Sequence, residues 1–473
     1  MSQNEPNASS VKQDVTVNGN PHSHIHPRSP EPNEKDADPE RQPDPVEDIV
    51  PDGLIGRVLS KTMSRVSVDP GPAPDGGLHA WTQAVMGHLV VFNVWGYINT
   101  FGVFQQYYVQ ALDRPPSAIS WIGSIQIFLL FFIGTFSGRA TDAGLFRPVY
   151  VLGCFFFLFG VFMTSLCTQY WQAFLAQGVC TGIGNGLMFC PTVTLVSTYF
   201  SRHRAVGIAI AASGTATGGI VFPVIVQQLL PRIGFGWTVR ILGFVMLVTF
   251  SIAFCFLRTR LPPRKAGPIV EWNAFRELSY LFYCIGMFLV FWGLFFAFYY
   301  LPSFGRDIIH ISYKESIDNL LILNGVGLFG RLIPNYVADR FFRPITTMVA
   351  MTAVTALMIF CWPAVHSAAG LKVFAVVYGF SGAAIQSLFP ASATSLTKDV
   401  KKTGVRLGMI FSVVSLASLT GPPISGALIQ QANGKYLYAQ IFAGVVMLVG
   451  CLTTLACRLA LDRENQRKEN DAV

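Results

Sequence analysis

Between residues 79 and 457 the chain turns apolar for about twenty residues at a time, over and over, with only short polar interruptions. Away from water, a segment that long and that apolar satisfies its own backbone N–H and C=O groups as a helix. Twelve such spans read near 79–104, 118–138, 148–167, 171–197, 205–230, 236–257, 278–304, 317–338, 344–364, 371–396, 404–429 and 436–458. The expected fold is an all-α polytopic membrane protein, with twelve transmembrane helices in two six-helix halves. Charged residues make up only 13% of the chain, against roughly a quarter in a soluble globule, so the lipid bilayer is the expected surrounding.

A net charge of +8 suits a nucleic-acid partner only if the positives share one soluble face. Here they alternate from loop to loop. Arg139 and Arg147, Arg202 and Arg204, Arg258 to Arg276, Arg340 and Arg343, and Lys398 to Lys402 follow even-numbered spans, while the opposite side carries few. The positive-inside rule puts both termini in the cytosol and removes the need for a nucleic acid. Residues 1–74, rich in Pro, Asn, Asp, Glu and Ser, read as a disordered cytosolic tail with no signal peptide. Then follow an N-terminal half over 75–257, a cytosolic loop over 258–277, a C-terminal half over 278–458 and a cytosolic tail over 459–473. His22, His24 and His26 could hold a metal, but an isolated tract in such a tail reads as incidental. The Asn7-Ala8-Ser9 sequon would stay unused in the cytosol. All nine cysteines lie in apolar stretches without a CxxC pair, which suits packing. No metal and no cofactor are expected.

An arginine interrupts the eighth span. The stretch Leu320 to Pro344 opens apolar and glycine-rich, carries Arg331, and closes on Asp339-Arg340 and Arg343-Pro344. At about 1.5 Å per residue, Arg331 lies roughly 12 Å along the helix from Asp339. If Asp339 marks the membrane surface, Arg331 is near mid-depth, where secondary transporters bind substrate. An ionised side chain there must face protein or a water-filled cavity. The alternative is an arginine held by backbone carbonyls for packing alone. Asn99, Asn185, Asn324 and Gln386 offer neutral donors and acceptors. Trp95, Trp292, Tyr299 and Tyr300 offer rings on which a solute could stack. Each polar residue could instead join helices, and each ring could instead pack in the core or against lipid. The acids, Asp318 included, fall at span ends or in loops, so an intramembrane carboxylate relay is not expected. His88 is the one histidine that reads as buried; it could titrate near neutral pH or simply pack.

The chain repeats itself. The run Gly138 to Pro148 after span two matches Asn335 to Pro344 after span eight, with Asp142 and Asp339 in register. Gly178 and Gly207 match Gly379 and Gly408 at the same spacing. Two six-helix halves with a site between them is a transporter layout. Over nearly all of residues 75–458 this pattern resembles the major facilitator superfamily. The Asp142 and Asp339 turns look like its loop motif, with Ala143 where an arginine is usual. In that role Asp142, Arg147, Asp339, Arg340 and Arg343 would latch the halves in one state. Asp75-Gly76-Gly77 with Trp81 is similar to the first signature of the monocarboxylate porters. Tyr199 to Arg204, with Gly207-Ile208-Ala209 and Gly214, resembles their second. Asn99 to Gln105 and Gly421-Pro422-Pro423 resemble fungal members. Two departures matter. The family's animal carriers use a lysine in span one and an aspartate one turn before the span-eight arginine; Asn99 and Gly327 stand there, while Arg331 matches.

The resemblance implies a plasma-membrane, or alternatively vacuolar, secondary transporter of a small organic solute, working by alternating access. Fungal members are associated with monocarboxylates, vitamins and export of secondary metabolites. The proposed substrate contacts are Arg331, Asn99, Asn324, Asn185, Gln386, Trp95 and Tyr299, with Arg331 forking onto an anionic group. A monomer is favoured, and the direction of transport stays open. An intramembrane enzyme would need a nucleophile with a base or clustered ligands at depth, and the spans offer neither. A solute sensor on the same fold is the remaining alternative. The loop charges make a direct prediction: a cysteine placed at Lys435 is labelled by an impermeant reagent from outside the cell, and one at Lys402 is not. The reverse pattern inverts the topology.

Overall fold

The structure, a computed structural model, describes residues 71, 73–201, 204–261, 270–397 and 403–470. The expectations for the histidine tract, the sequon and nearly all of the N-terminal tail lie outside these residues. Every long element is helical, and there is no strand among the described residues. Helices α1 (Gly77–Asn99) and α2 (Phe101–Ala111) meet at Thr100, whose Oγ1 donates to Gly96 O at 2.8 Å. That back-bond shares the Gly96 carbonyl with the Thr100 N–H where the first expected span, which runs on to Ala111, is divided. Helices α3 (Pro116–Asp142) and α4 (Phe146–Thr164) follow, α3 starting on a proline suited to a first helical turn. Helix α5 (Tyr170–Thr198) contains a π-helical turn over Phe174–Cys180.

The fifth and sixth expected spans are two helices that meet at a sharp kink and are taken together as α6 (Arg204–Phe256). Gly234 breaks it at φ 75 and ψ 172, a conformation only glycine adopts without strain. Beyond the linker come α7 (Leu278–Asp307), α8 (Tyr313–Arg340), α9 (Pro344–Cys361), α10 (Ala368–Ser395), α11 (Thr403–Gln431) and α12 (Leu437–Asn470). Ser312 and Glu315 form a capping box that starts α8. Helix α12 continues into the expected tail, where Arg463, Glu464 and Gln466 are good helix formers. Ten helical segments are long and apolar enough to cross a membrane, with Val206–Phe256 taken as one.

Small residues set the crossings. Helix α1 packs on α6, α8 on α10 and α7 on α11. A Cβ on Gly96 would lie 2.7 Å from Gly218 Cα, and one on Gly218 would collide with Phe92 O. Gly379 approaches Leu323 O, and Gly421 approaches Trp292 O, in the same way. Such contacts are how helices associate where lipid offers no hydrophobic drive. Helices before the linker meet those after it chiefly along α3 with α11 and α6 with α8, with a smaller contact of α2 on α7. Ser117 Oγ donates to Gln430 Oε1 at 2.9 Å near one end of the first pair, and Thr135 Oγ1 donates to Gly408 O at 3.0 Å near the other.

Two clasps tie the chain ahead of a helix to the start of another. Asp75 takes the backbone N–H of Ser201 at 2.5 Å and also its hydroxyl, while Asp75 N donates to Tyr199 O. Trp81 packs on Phe200 at 5.0 Å. After the linker, Arg406 on α11 donates from Nε to Glu271 Oε2 at 3.0 Å and from Nη1 and Nη2 to both oxygens of Glu277 at 2.7 and 2.6 Å. Its guanidinium lies 5.5 Å from the Tyr280 ring centre. The Arg406 side chain is 7% exposed and Glu271 12%, so their charges depend on each other. Arg406→Ala leaves these carboxylates facing one another and is expected to cost about 3–5 kcal/mol, mostly through Glu271, because Glu277 is half in solvent. The measurement is thermal unfolding of the detergent-purified protein; an unchanged midpoint would refute the clasp.

Candidate functional site

Arg331 lies on α8, nine residues from the helix end at Arg340, and is 3% exposed. Its Nη1 donates to Gly327 O at 3.1 Å and its Nη2 to Gln386 Oε1 of α10 at 3.1 Å. A guanidinium has five N–H donors, so three find no acceptor among the described residues. Gly327 makes this pose possible: a methyl there would sit 2.9 Å from Arg331 Nη1 and 3.2 Å from Ala383 Cβ. The guanidinium thus folds back over its own helix into the space a side chain would take. One turn on, Asn335 Nδ2 donates to Arg331 O at 2.6 Å and to Ser387 Oγ at 2.8 Å, fixing α8 against α10.

Asn99 and Asn324 converge from opposite sides of the linker. A methyl on Gly219 of α6 would lie 2.8 Å from Asn324 Oδ1 and 3.0 Å from Asn99 Nδ2, so both amides flank one spot. Asn99 Nδ2 donates to Thr215 O at 3.3 Å, and Asn324 Nδ2 to Leu320 O at 3.0 Å. Asn324 Oδ1 and Gln386 Nε2 are buried without a partner among the described residues. Trp95 stacks on Phe295 of α7 at 6.5 Å, and Tyr299 packs on Phe101 at 5.0 Å with its hydroxyl unpaired among the described residues. Asn185 on α5 is fully buried, and neither amide atom is bonded there. The structure therefore brings Arg331 to Gln386 and Asn99 to Asn324, and puts Trp95 and Tyr299 on rings of the opposite set. It gives Asn185 no contact with these groups.

His88 joins α1 to α6. Its Nδ1 lies 3.0 Å from both Ile210 O and Ser213 Oγ, and its Nε2 lies 3.0 Å from Thr217 Oγ1. A carbonyl only accepts, so Nδ1 carries a proton, and the Thr217 hydroxyl completes a helix-joining contact. Of the latch residues, Arg147 and Arg340 are exposed, and Arg343 pairs with Asp462 of α12 at 2.7 Å. The side chains of Asp142 and Asp339 lie outside the described set. Two surface hollows, one by Arg147 and Phe155 and one by Phe162 and Arg240, are on outer faces away from this site.

The profile described as Major Facilitator Superfamily matches residues 86–404 and 335–473. The chain belongs to the Major Facilitator Superfamily. It is 46% identical over 412 residues to an MFS-type transporter of Gibberella zeae, covering 87% of this chain and 93% of the relative. To the MFS-type transporter dbaD of Emericella nidulans it is 38% identical over 378 residues, covering 79% and 85%. To the aspyridones efflux protein apdF of the same organism it is 36% identical over 392 residues, covering 82% and 79%. This superfamily member is a membrane transporter.

Sequence reasoning passed over Arg406, although an arginine three residues into the run beginning at 404 was the available signal. It also passed over Gly219, which has no neighbour in sequence to mark it as the floor between two amides. Gly219→Ala should cost about 1–3 kcal/mol by overpacking. Gly325→Ala is the control, because its only near neighbour, Ile220 Cδ1, stays 3.7 Å away; there the change should be neutral or stabilising by about 0.5–1 kcal/mol. Equal thermal shifts in the two variants would show that Gly219 is not a close-approach site.

Proposed function

We propose that this superfamily member is a plasma-membrane secondary transporter that exports a small organic anion by alternating access, acting as a monomer. Twelve traverses are counted by taking α1 with α2 as one and dividing α6 at Gly234, with both termini cytosolic by the loop charges. The helices up to Phe256 and those from Leu278 then form the two moving halves. Export is favoured because one relative is named an efflux protein. The porter-like branch is favoured because its two signatures meet physically, Asp75 bonding Ser201. The Asp142 and Asp339 turns remain the proposed latches between states.

The observation that carries this reading is Arg331, buried between helices with three N–H groups unengaged among the described residues. A buried cation in that condition is costly unless an anion or water completes it. Binding a carboxylate through a fork supplies charge and geometry together. Gln386 holds the guanidinium from one side and leaves the other edge for the solute. Arg331→Lys should therefore weaken transport despite keeping the charge, by about 1.5–3 kcal/mol, roughly ten- to a hundredfold in affinity. Gln386→Leu should weaken it less, since the anion then completes Arg331 alone. Solute flux in inside-out vesicles, normalised to protein abundance, decides. Full flux by the lysine variant, or equal loss in both variants, would mean that Arg331 serves only to join α8 to α10.

A further inference from the structure

The polar groups around Arg331 share a wall with aromatic rings that no motif marked. Phe131 of α3 lies 6.0 Å from Phe291 of α7, 6.5 Å from Phe389 of α10, 5.4 Å from Phe411 of α11 and 5.9 Å from Trp95 of α1. Phe389 also sits 4.9 Å from Phe291 and 5.4 Å from Phe411. Five helices from both sides of the linker meet in this one cluster, and each of these rings is buried. Phe389 follows Gln386 by three residues on α10, so ring and amide share a helix face. The apolar wall therefore adjoins the Arg331–Gln386 pair.

Rings alone would be core packing. What packing does not need is the polar fringe beside them. Arg331 keeps three donors unengaged, Gln386 Nε2 is a buried donor without an acceptor, and Asn324 Oδ1 is a buried acceptor without a donor, all among the described residues. Asn324 stands seven residues before Arg331 on α8, on the side away from Phe389, so the Arg331–Gln386 pair is the part of the fringe that borders the rings. That pair asks for an acceptor, with an apolar plate alongside. Ring–ring contacts across the halves can be exchanged for ring–solute contacts of the same kind, so admitting a flat aromatic solute replaces what it displaces. An alkyl chain fills the space but does not match ring faces and edges.

We propose that the cargo is a planar aromatic or conjugated weak acid. Its anionic group sits on Arg331 and Gln386 Nε2, and its ring system lies against Phe131, Phe291, Phe389 and Phe411. This rests on the reading of Arg331 as the anion's partner and narrows it. A small aliphatic monocarboxylate does not reach the rings, and is not carried.

The test uses the full chain purified in detergent and reconstituted in vesicles. The probes are a naphthoate, octanoate and lactate. Binding is read by ligand-induced thermal shift and transport by counterflow. The naphthoate should bind on the order of tenfold more tightly than octanoate, and lactate should not bind. Phe131→Leu and Phe389→Leu, which keep an apolar side chain, should shrink that preference to about twofold. Arg331→Lys should weaken every acid alike. If the naphthoate and octanoate bind equally or not at all, or if the phenylalanine variants lose both alike, the rings are packing and the aromatic assignment is overturned. If instead Arg331→Lys changes nothing, it is the anion reading of Arg331 that fails.

Discussion

Close backbone approach between helices is the constraint on which the rest of this structure depends. Within lipid, apolar side chains gain nothing by leaving the tails, so association rests on van der Waals fit and on polar contacts between helices. Glycines supply that fit at each crossing beside the site. Gly96 and Gly218 let α1 lie on α6, and this brings Asn99 to the spot it shares with Asn324. Gly379 lets α10 lie on α8, and this brings Gln386 within 3.1 Å of Arg331. The side chains that carry chemistry are placed by residues that have none. A methyl at those crossings would move an amide as surely as mutating the amide itself.

Polar groups in such an interior are expensive, and the molecule deals with them in two ways. At the two clasps it gives the charged groups direct partners. Arg406 spends four N–H···O contacts on two carboxylates, and Asp75 takes both the N–H and the hydroxyl of Ser201. At the centre it leaves them incomplete, at Arg331, Gln386, Asn324, Asn185 and Tyr299. The two clasps occupy corresponding places, one ahead of α1 and closing on the start of α6, the other ahead of α7 and closing on the start of α11. One uses a carboxylate on a backbone N–H, the other an ion triad. The repeat conserves the joint and not its chemistry, which is why matching residues between the halves would not find the second clasp from the first.

How much of this was legible in the sequence follows from the range of each interaction. Apolar runs and loop charges are local, so the helices, their order and the buried Arg331 could be read directly. Helix ends were not, because α2 and α12 run past the apolar segments on ordinary helix propensity. The break at Gly234 falls between the fifth and sixth expected spans, but nothing local shows that a single glycine and not a longer loop joins the two helices. Arg406 and Glu271 are 135 residues apart, and no pattern along the chain pairs them. The ring cluster was hidden by abundance: among 39 phenylalanines, the sequence gives no reason to choose Phe131, Phe291, Phe389 and Phe411.

The two departures from the porter pattern also make sense together. In the animal monocarboxylate carriers whose pattern the sequence resembles, a span-one lysine, a span-eight aspartate and the following arginine sum to one positive charge. Here Asn99 and Gly327 stand at the first two positions, and Arg331 alone leaves the same sum. On the proposed reading the demand for one anion is thus unchanged, while the carboxylate that could carry a proton is gone. The geometry adjusts to match. With no aspartate at Gly327, the guanidinium folds back into the vacated space and takes a neutral amide, Gln386, as its holder. On the proposed reading, a neutral holder does not cancel the charge, so an anion's binding energy would not be spent displacing an internal partner. An amide at Asn99 beside Asn324 offers hydrogen-bonding groups and no second charge. Such a site would select on shape and hydrogen bonding, and not on charge alone.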